Sequence, residues 1–468
     1  MAGISFTGLA SGIDSDAIIK SMGDTRRLAI GPVKKKVEEN ENENKAFDEL
    51  NTKLLKLRDA VKDFRTLAGS PISKNAISSD DDSVGVSASN NAQVSSTTVT
   101  VTNLAQAATF SFDDRFTSAT APLFPGLTGT ANITLTVGTG ANATTVDVPV
   151  SNQTNLAELV AEIGELSGGK VTASPVNVGT ESAPQYILLM QTSESGLEKG
   201  SLTVAVDPAI TATGALTSST LSQAEDAVFT VSGIGQITRA SNKISGLLPG
   251  VTLDLKREGG PILVQVNDDR DKTATKFDSV VGALNELIKY VKENDTITQE
   301  EVDGRLQNVY GTLAHARVDN QVLQSIRNAI SDSNSGGLGT EVNILADLGL
   351  TIERDGLYKI DANKFTEQLA TDSVGASTLL TKFADTLGTT NGIIDEYTKF
   401  QGQVDISKRT NDDENKSLND RIERVETNIE KQAQTLKLLF ANLEQKIGKL
   451  NSTADSLSAM LAGAAARK

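Results

Sequence analysis

The sequence predicts a multidomain α+β protein, with long N- and C-terminal helices forming a coiled-coil or helical-bundle stem and two inserted β-rich head domains. Three observations predict it. The chain has 468 residues, more than one hydrophobic core organises at about 150 residues per domain. Both ends place apolar residues at alternating steps of three and four, the spacing of a helical seam. The middle alternates with period two, as half-buried strands do.

Asp14 or Ser15 can cap a first helix, which Gly31-Pro32 must break or kink. A seam follows at Phe47, Leu50, Leu54, Leu57, Val61 and Phe64, and Gly69-Ser70-Pro71 stops it. Between them the run Glu38-Glu39-Asn40-Glu41-Asn42-Glu43-Asn44 offers no apolar grip. It reads as a flexible joint between two helical layers. At the other end a heptad runs through Leu418, Ile422, Val425, Ile429, Gln432, Leu436, Leu439, Leu443, Lys446, Leu450, Thr453, Leu457 and Met460. A helix from residue 411 to 462 would be about 75 Å long. Such a helix needs a partner for its stripe, and the patterned N-terminal segment is the nearest one. The candidate interface therefore comprises Phe47, Leu50, Leu54, Leu57, Val61, Phe64, Ile422, Val425, Ile429, Leu436, Leu439, Leu443, Leu450 and Leu457.

In the middle, Ile133, Leu135, Val137 and Val146, Val148, Val150 flank the turn-rich Gly138–Asn142 and predict a hairpin. Asn155 with Glu158 three residues on predicts a capping box that opens a short helix, ended by Gly168-Gly169. Strands follow at Tyr186–Met190 and Leu202–Val206. A second β unit is expected from Phe229 and Val231, from Val251, Leu253 and Leu255, and from Ile262, Val264 and Val266, pairing with the strand at Val99 and Val101. Helical period returns at Phe277–Val291 and Val318–Ile330, with a small strand-turn-strand around Asp355-Gly356. The expected domains are 1–42 with 432–468 as terminal helical legs, 43–75 with 271–431 as the stem bundle, 76–112 with 221–270 as a β-rich head, and 113–220 as an inserted α+β head.

Composition removes most chemistry. Forty-four Lys plus Arg against 60 Asp plus Glu give a formal charge of -16, which repels nucleic acid and anionic membrane surfaces. With no Cys and one His, His315, neither thiolate catalysis nor a zinc site of the usual kind is expected. No apolar run is long enough to span a bilayer, and the start lacks the pattern of a cleaved secretory signal. Asp355-Gly356 has Thr351 and Ala362 where a calcium loop needs carboxylates, so it reads as a turn. Asp80-Asp81-Asp82 and Asp268-Asp269-Asp271 read as solvated loops, and Gly233-Ile234-Gly235 as a turn. No nucleophile-base constellation, cofactor site or metal site is expected.

Several strings are similar to the flagellar hook-associated protein 2 family. They are Ile4–Asp14, Ala224–Gly233, Ser241–Ile244, Leu248–Leu255, Leu348–Gly356, and Phe440–Met460 with Leu450-Asn451-Ser452-Thr453. The resemblance implies a secreted, non-enzymatic filament cap, exported without a cleavable signal through the flagellar channel. It would assemble as a homo-oligomeric ring, a pentamer, at the distal tip, retaining flagellin while each subunit folds and polymerises. The implied partners are copies of itself, flagellin, hook-filament junction proteins and a flagellar export chaperone. Leg motion at Asn40–Asn44 would serve the mismatch between ring and filament. The competing readings are another axial protein, namely a flagellin or hook-filament junction protein, and an extracellular adhesin for host mucin or glycan. The Pro249-Gly250 signature favours the cap over the first.

Overall fold

The computed structural model describes residues 12, 14–212, 216, 218–302, 305–332 and 341–465. Two compact units divide it, Met1–Thr66 with Ala274–Lys468, and Leu67–Thr273. The second is thus inserted in the chain of the first.

The first unit is helical apart from two hairpins, Ile297–Val302 with Arg305–Tyr310 and the expected Leu350–Ile352 with Tyr358–Ile360. Its first helix, Ser15–Arg27, begins where the Asp14 carboxylate accepts the amide of Ala17. A 3-10 turn at Leu28–Ile30 leads into the second helix, Gly31–Val61. Pro32 sits in that helix's first turn, where its missing N–H has no intrahelical partner to lose. The break expected at Gly31-Pro32 is therefore a change of helix. Helices Arg270–Asn294, Val318–Ser331, Ala362–Thr371, Ser373–Gly388 and Ile393–Thr398 follow, then a terminal helix, Gln403–Ala465. Its 63 residues make about 95 Å at about 1.5 Å per residue. The core gathers around Phe277, whose ring stacks on Phe365 at 5.2 Å and meets Phe64 edge-on at 5.9 Å.

The second unit holds two apolar cores. In one, a five-stranded antiparallel sheet runs Lys74–Ser78, Gly259–Asp268, Ser95–Asn103, Ala227–Val231, Gly235–Arg239. A three-stranded sheet runs Lys243–Leu248, Val251–Leu255, Val84–Ala88. Val99, Phe229, Leu253 and Val264 belong to the shared core, so the Val99 strand does pair with this unit, lying between the other two. Gly250 explains the turn after Leu248. Its φ is +74°, and a Cβ there would come within 2.7 Å of the Ala92 amide, so no other residue fits. Asn242 clamps the neighbouring segment, accepting the Ala105 amide at 2.7 Å and donating to the Ala105 carbonyl at 2.9 Å.

The other core belongs to the inserted module. Strands Thr130–Val137 and Thr144–Ser151 form the expected hairpin, with Leu202–Val206 on its far edge. Helix Leu156–Leu166 starts with the expected reciprocal cap. The Glu158 amide donates to Asn155 Oδ1 at 2.9 Å, and the Asn155 amide to Glu158 Oε2 at 3.2 Å.

The expected domain seams need correction. Those at 112/113 and 220/221 cut strands Thr109–Phe116 and Ser218–Ser222, which pair with each other inside the inserted module. The seams at 42/43 and 431/432 fall within the unbroken second and terminal helices. The seams at 75/76 and 270/271 cut strand Lys74–Ser78 and the start of helix Arg270–Asn294. Strand partners and helix continuity depend on distant residues, which local periodicity does not report.

Candidate functional site

The site is built by the two ends of the helical unit. The first and second helices both run antiparallel to the terminal helix, as their side-chain bonds demonstrate: partners on one rise in number as those on the other fall. Arg27 Nε donates to Glu426 Oε2 at 3.0 Å, and Arg26 donates to Gln432. Asn40 Nδ2 donates to Glu414 at 2.9 Å and Asn415 at 3.0 Å. Asn44 donates to Asp412 at 2.8 Å and accepts from Asn411 at 3.1 Å. Lys408 pairs with Asp48.

This geometry overturns the flexible joint. The Glu38–Asn44 run lies inside one continuous helix, and Asn40 is fully buried against the terminal helix. Its Nδ2 finds one amide and one carboxylate on the facing helix while its Oδ1 stays without a partner, so the grip here is a polar one. Asn at such positions costs stability and fixes register. The signal for it was present, since Asn40/Asn44 and Asn411/Asn415 are each spaced i, i+4.

The candidate interface residues separate into two sets. Phe47, Leu50, Leu54, Leu57, Val61 and Phe64 are buried in the core of their own unit, and side chains with no exposed surface offer a second molecule nothing. Ile422, Val425 and Leu436 are half-buried, and Ile429 is buried where the first helix crosses, its Cγ2 lying 3.4 Å from where a Cβ on Gly23 would be. Ile19, Met22 and Gly23 face Ile429, Ala433 and Leu436 across an open apolar groove of about 240 Å³. From there the stripe continues uncovered. Leu439, Leu450 and Leu457 are 60 %, 67 % and 60 % exposed, and Leu443 joins them. Residue 437 to Ala465 is about 40 Å of helix. Leu438 and Leu461, outside the heptad positions, are exposed beside it. So is Phe400, with the Arg409 guanidinium 4.8 Å above its ring.

The remaining sequence candidates have structural employment. Asp355 Oδ1 accepts the Leu357 amide within a turn whose Gly356 has φ +83°. Asp80 bonds Ser83 Oγ, and Asp268 pairs with Lys74. Asp269 Oδ1 accepts the Lys272 amide at the head of a helix. His315 lies against Tyr310, ring centres 4.5 Å apart. Among the described residues no three His, Asp or Glu stand where they could hold a metal ion, and no helix is long and apolar enough to cross a membrane.

Family models for the flagellar hook-associated protein 2 N-terminus and C-terminus match residues 11–108 and 224–452, together well over half of the chain. The chain belongs to the flagellar hook-associated protein 2 family. It is 26 % identical over 486 residues to the flagellar hook-associated protein 2 of Escherichia coli K12, covering 98 % of each chain. To the A-type flagellar hook-associated protein 2 of Pseudomonas aeruginosa it is 27 % identical, covering 73 % of this chain and 75 % of the relative. In fold it resembles the solved D1-D2-D3 domains of the flagellar cap protein from Escherichia coli, with a TM-score of 0.60 and 21 % identity over 78 % of this chain and 99 % of that one. The family's function is capping the flagellar filament, and membership favours it over a flagellin, a junction protein or an adhesin. The gap between the two family models holds most of the inserted module, whose core is separate. Of the opening string Ile4–Asp14, only Gly12 and Asp14 lie within the described residues.

Proposed function

We propose that copies of this chain form a closed ring at the distal tip of the filament, outside the cell, where the ring retains exported flagellin and promotes its folding and polymerisation without enzymatic chemistry. The observation that carries this reading is the apolar stripe from Leu439 to Leu457 on the terminal helix, left in water by its own chain. A heptad stripe is complete only against another helix. The partners that fit are the same helices of further copies, and the helical termini of flagellin and the hook-filament junction proteins. An export chaperone would shield the same leucines before assembly.

The Asn-lined seam suits this work. It holds the paired ends in one register while the stripe beyond remains free for assembly. Bacteria deleted for the gene are expected to shed unpolymerised flagellin into the medium and to recover filaments when it is restored. Filaments of normal length in the deletion strain would contradict the reading.

A further inference from the structure

Asp319 stands in the first turn of helix Val318–Ser331 with no exposed surface, and neither of its carboxylate oxygens has a hydrogen-bond partner. The amides of Asn320 and Asp319 lie near enough to favour its charge but fall short of hydrogen-bond geometry. The nearby donors are engaged elsewhere. Tyr290 Oη donates to the Ala46 carbonyl at 2.7 Å, and Asn320 Nδ2 to Asp295 at 3.0 Å. Two negative charges act on Asp319: Asp295, in the turn after helix Arg270–Asn294, and Glu43, half-buried on the second helix.

The surrounding elements supply little compensation. Glu43 is itself faced by Lys36, by His315 from the segment before Val318–Ser331, and by Glu414 and Asn411 from the terminal helix. Among the cations and acids on neighbouring helices, Lys382 pairs with Asp332 and Asp395 with Lys399. Burial pushes the Asp319 carboxyl up to about 6, with Asp295 and Glu43 adding to the effect. Burial likewise raises Glu43. Tyr290, pushed up to about 12 by burial and then by Glu49 and Asp319, stays neutral.

A buried carboxyl group between two others, lacking donors, takes one ligand readily, a proton. We propose that Asp319, with Glu43 and Asp295, is a proton-operated lock on the helical unit: it packs tightly when Asp319 is protonated and is loosened at the head of helix Val318–Ser331 when the proton leaves. The sign follows from the direction of the shift. The folded state holds the proton more strongly than the unfolded chain does, so the stabilisation is complete below about pH 4 and lost as pH rises through about 6.

Thermal unfolding of the full chain and of Asp319→Asn, each at about pH 5 and about pH 7.5, tests it. The substitution keeps the shape and removes the charge, which also separates this effect from the general repulsion of an acidic chain. At the higher pH the variant is expected to melt above the wild type, and the difference between the two is expected to grow by roughly 3–5 °C between the two conditions. A difference that does not change with pH, or a variant less stable at both, would overturn the lock. Should Asp319→Asn fail to fold, Glu43→Gln gives a second reading. It is expected to flatten the pH dependence in part, and an unchanged slope overturns the proposal equally.

Discussion

Replacing Leu439, Leu450 and Leu457 together by Gln is expected to abolish filament growth while leaving the isolated chain as stable as before. The three side chains are mostly in water in the single chain, so folding gains little from them. Gln is nearly as good a helix former as Leu, and the terminal helix should persist. Assembly is a different matter. Covering a leucine against a partner helix contributes about 1.5–3 kcal/mol, so losing three removes at least about 4 kcal/mol, roughly a thousandfold in association. Cells carrying the triple substitution should bear stubs or no filaments. The purified protein should melt within about 2 °C of the wild type, since exposed substitutions seldom matter more. Filaments of ordinary length would show that the stripe takes no part in assembly.

Phe277→Ala is expected to have the largest effect on the fold. The ring is 1 % exposed and touches three others, stacked on Phe365 and edge-on to Phe64 and Phe383 at 5.9 and 6.4 Å. Truncation leaves a cavity where segments from both ends of the helical unit meet. Phe→Ala at such sites costs about 3–5 kcal/mol, and the loss of aromatic pairing adds to it. The helical transition, followed by far-ultraviolet circular dichroism, should fall by roughly 10 °C. A fall of under about 2 °C would mean that the rings do not organise this core. The strands of the inserted unit have apolar cores of their own and give an internal control.

Where sequence and structure agree, most of the relevant interactions are local, the pairing of the Val99 strand with the Phe229 and Ile262 strands being the exception. The Asn155–Glu158 cap spans three residues, and the hairpin at Ile133–Val150 is closed by a short turn, so both are written in adjacent letters. The heptad likewise shows that a helix has a stripe. It does not show what covers it, and Phe47–Phe64 proved to be core while Leu439–Leu457 proved to be surface. The polar run at Asn40 misleads for the same reason. One segment alone looks gripless, and only Asn411 and Asn415 on the facing helix turn it into a lock. Hairpin Ile297–Val302 with Arg305–Tyr310 was missed although Asp303-Gly304, the pair between its strands in the sequence, is a two-residue hairpin-turn signal. The described residues of both strands are solvent-exposed, so no apolar alternation was required of them. Asp319 is invisible in the sequence because one Asp among many carries no mark of burial.

The leucine stripe of the terminal helix is expected to become covered when the cap assembles. Because the chain contains no Cys, Leu450→Cys introduces a single thiol whose reaction with a maleimide reports its exposure. In the free protein this thiol should label at the rate of an open surface group, and at the tips of capped filaments it should be shielded. Equal labelling in the two states would contradict the account.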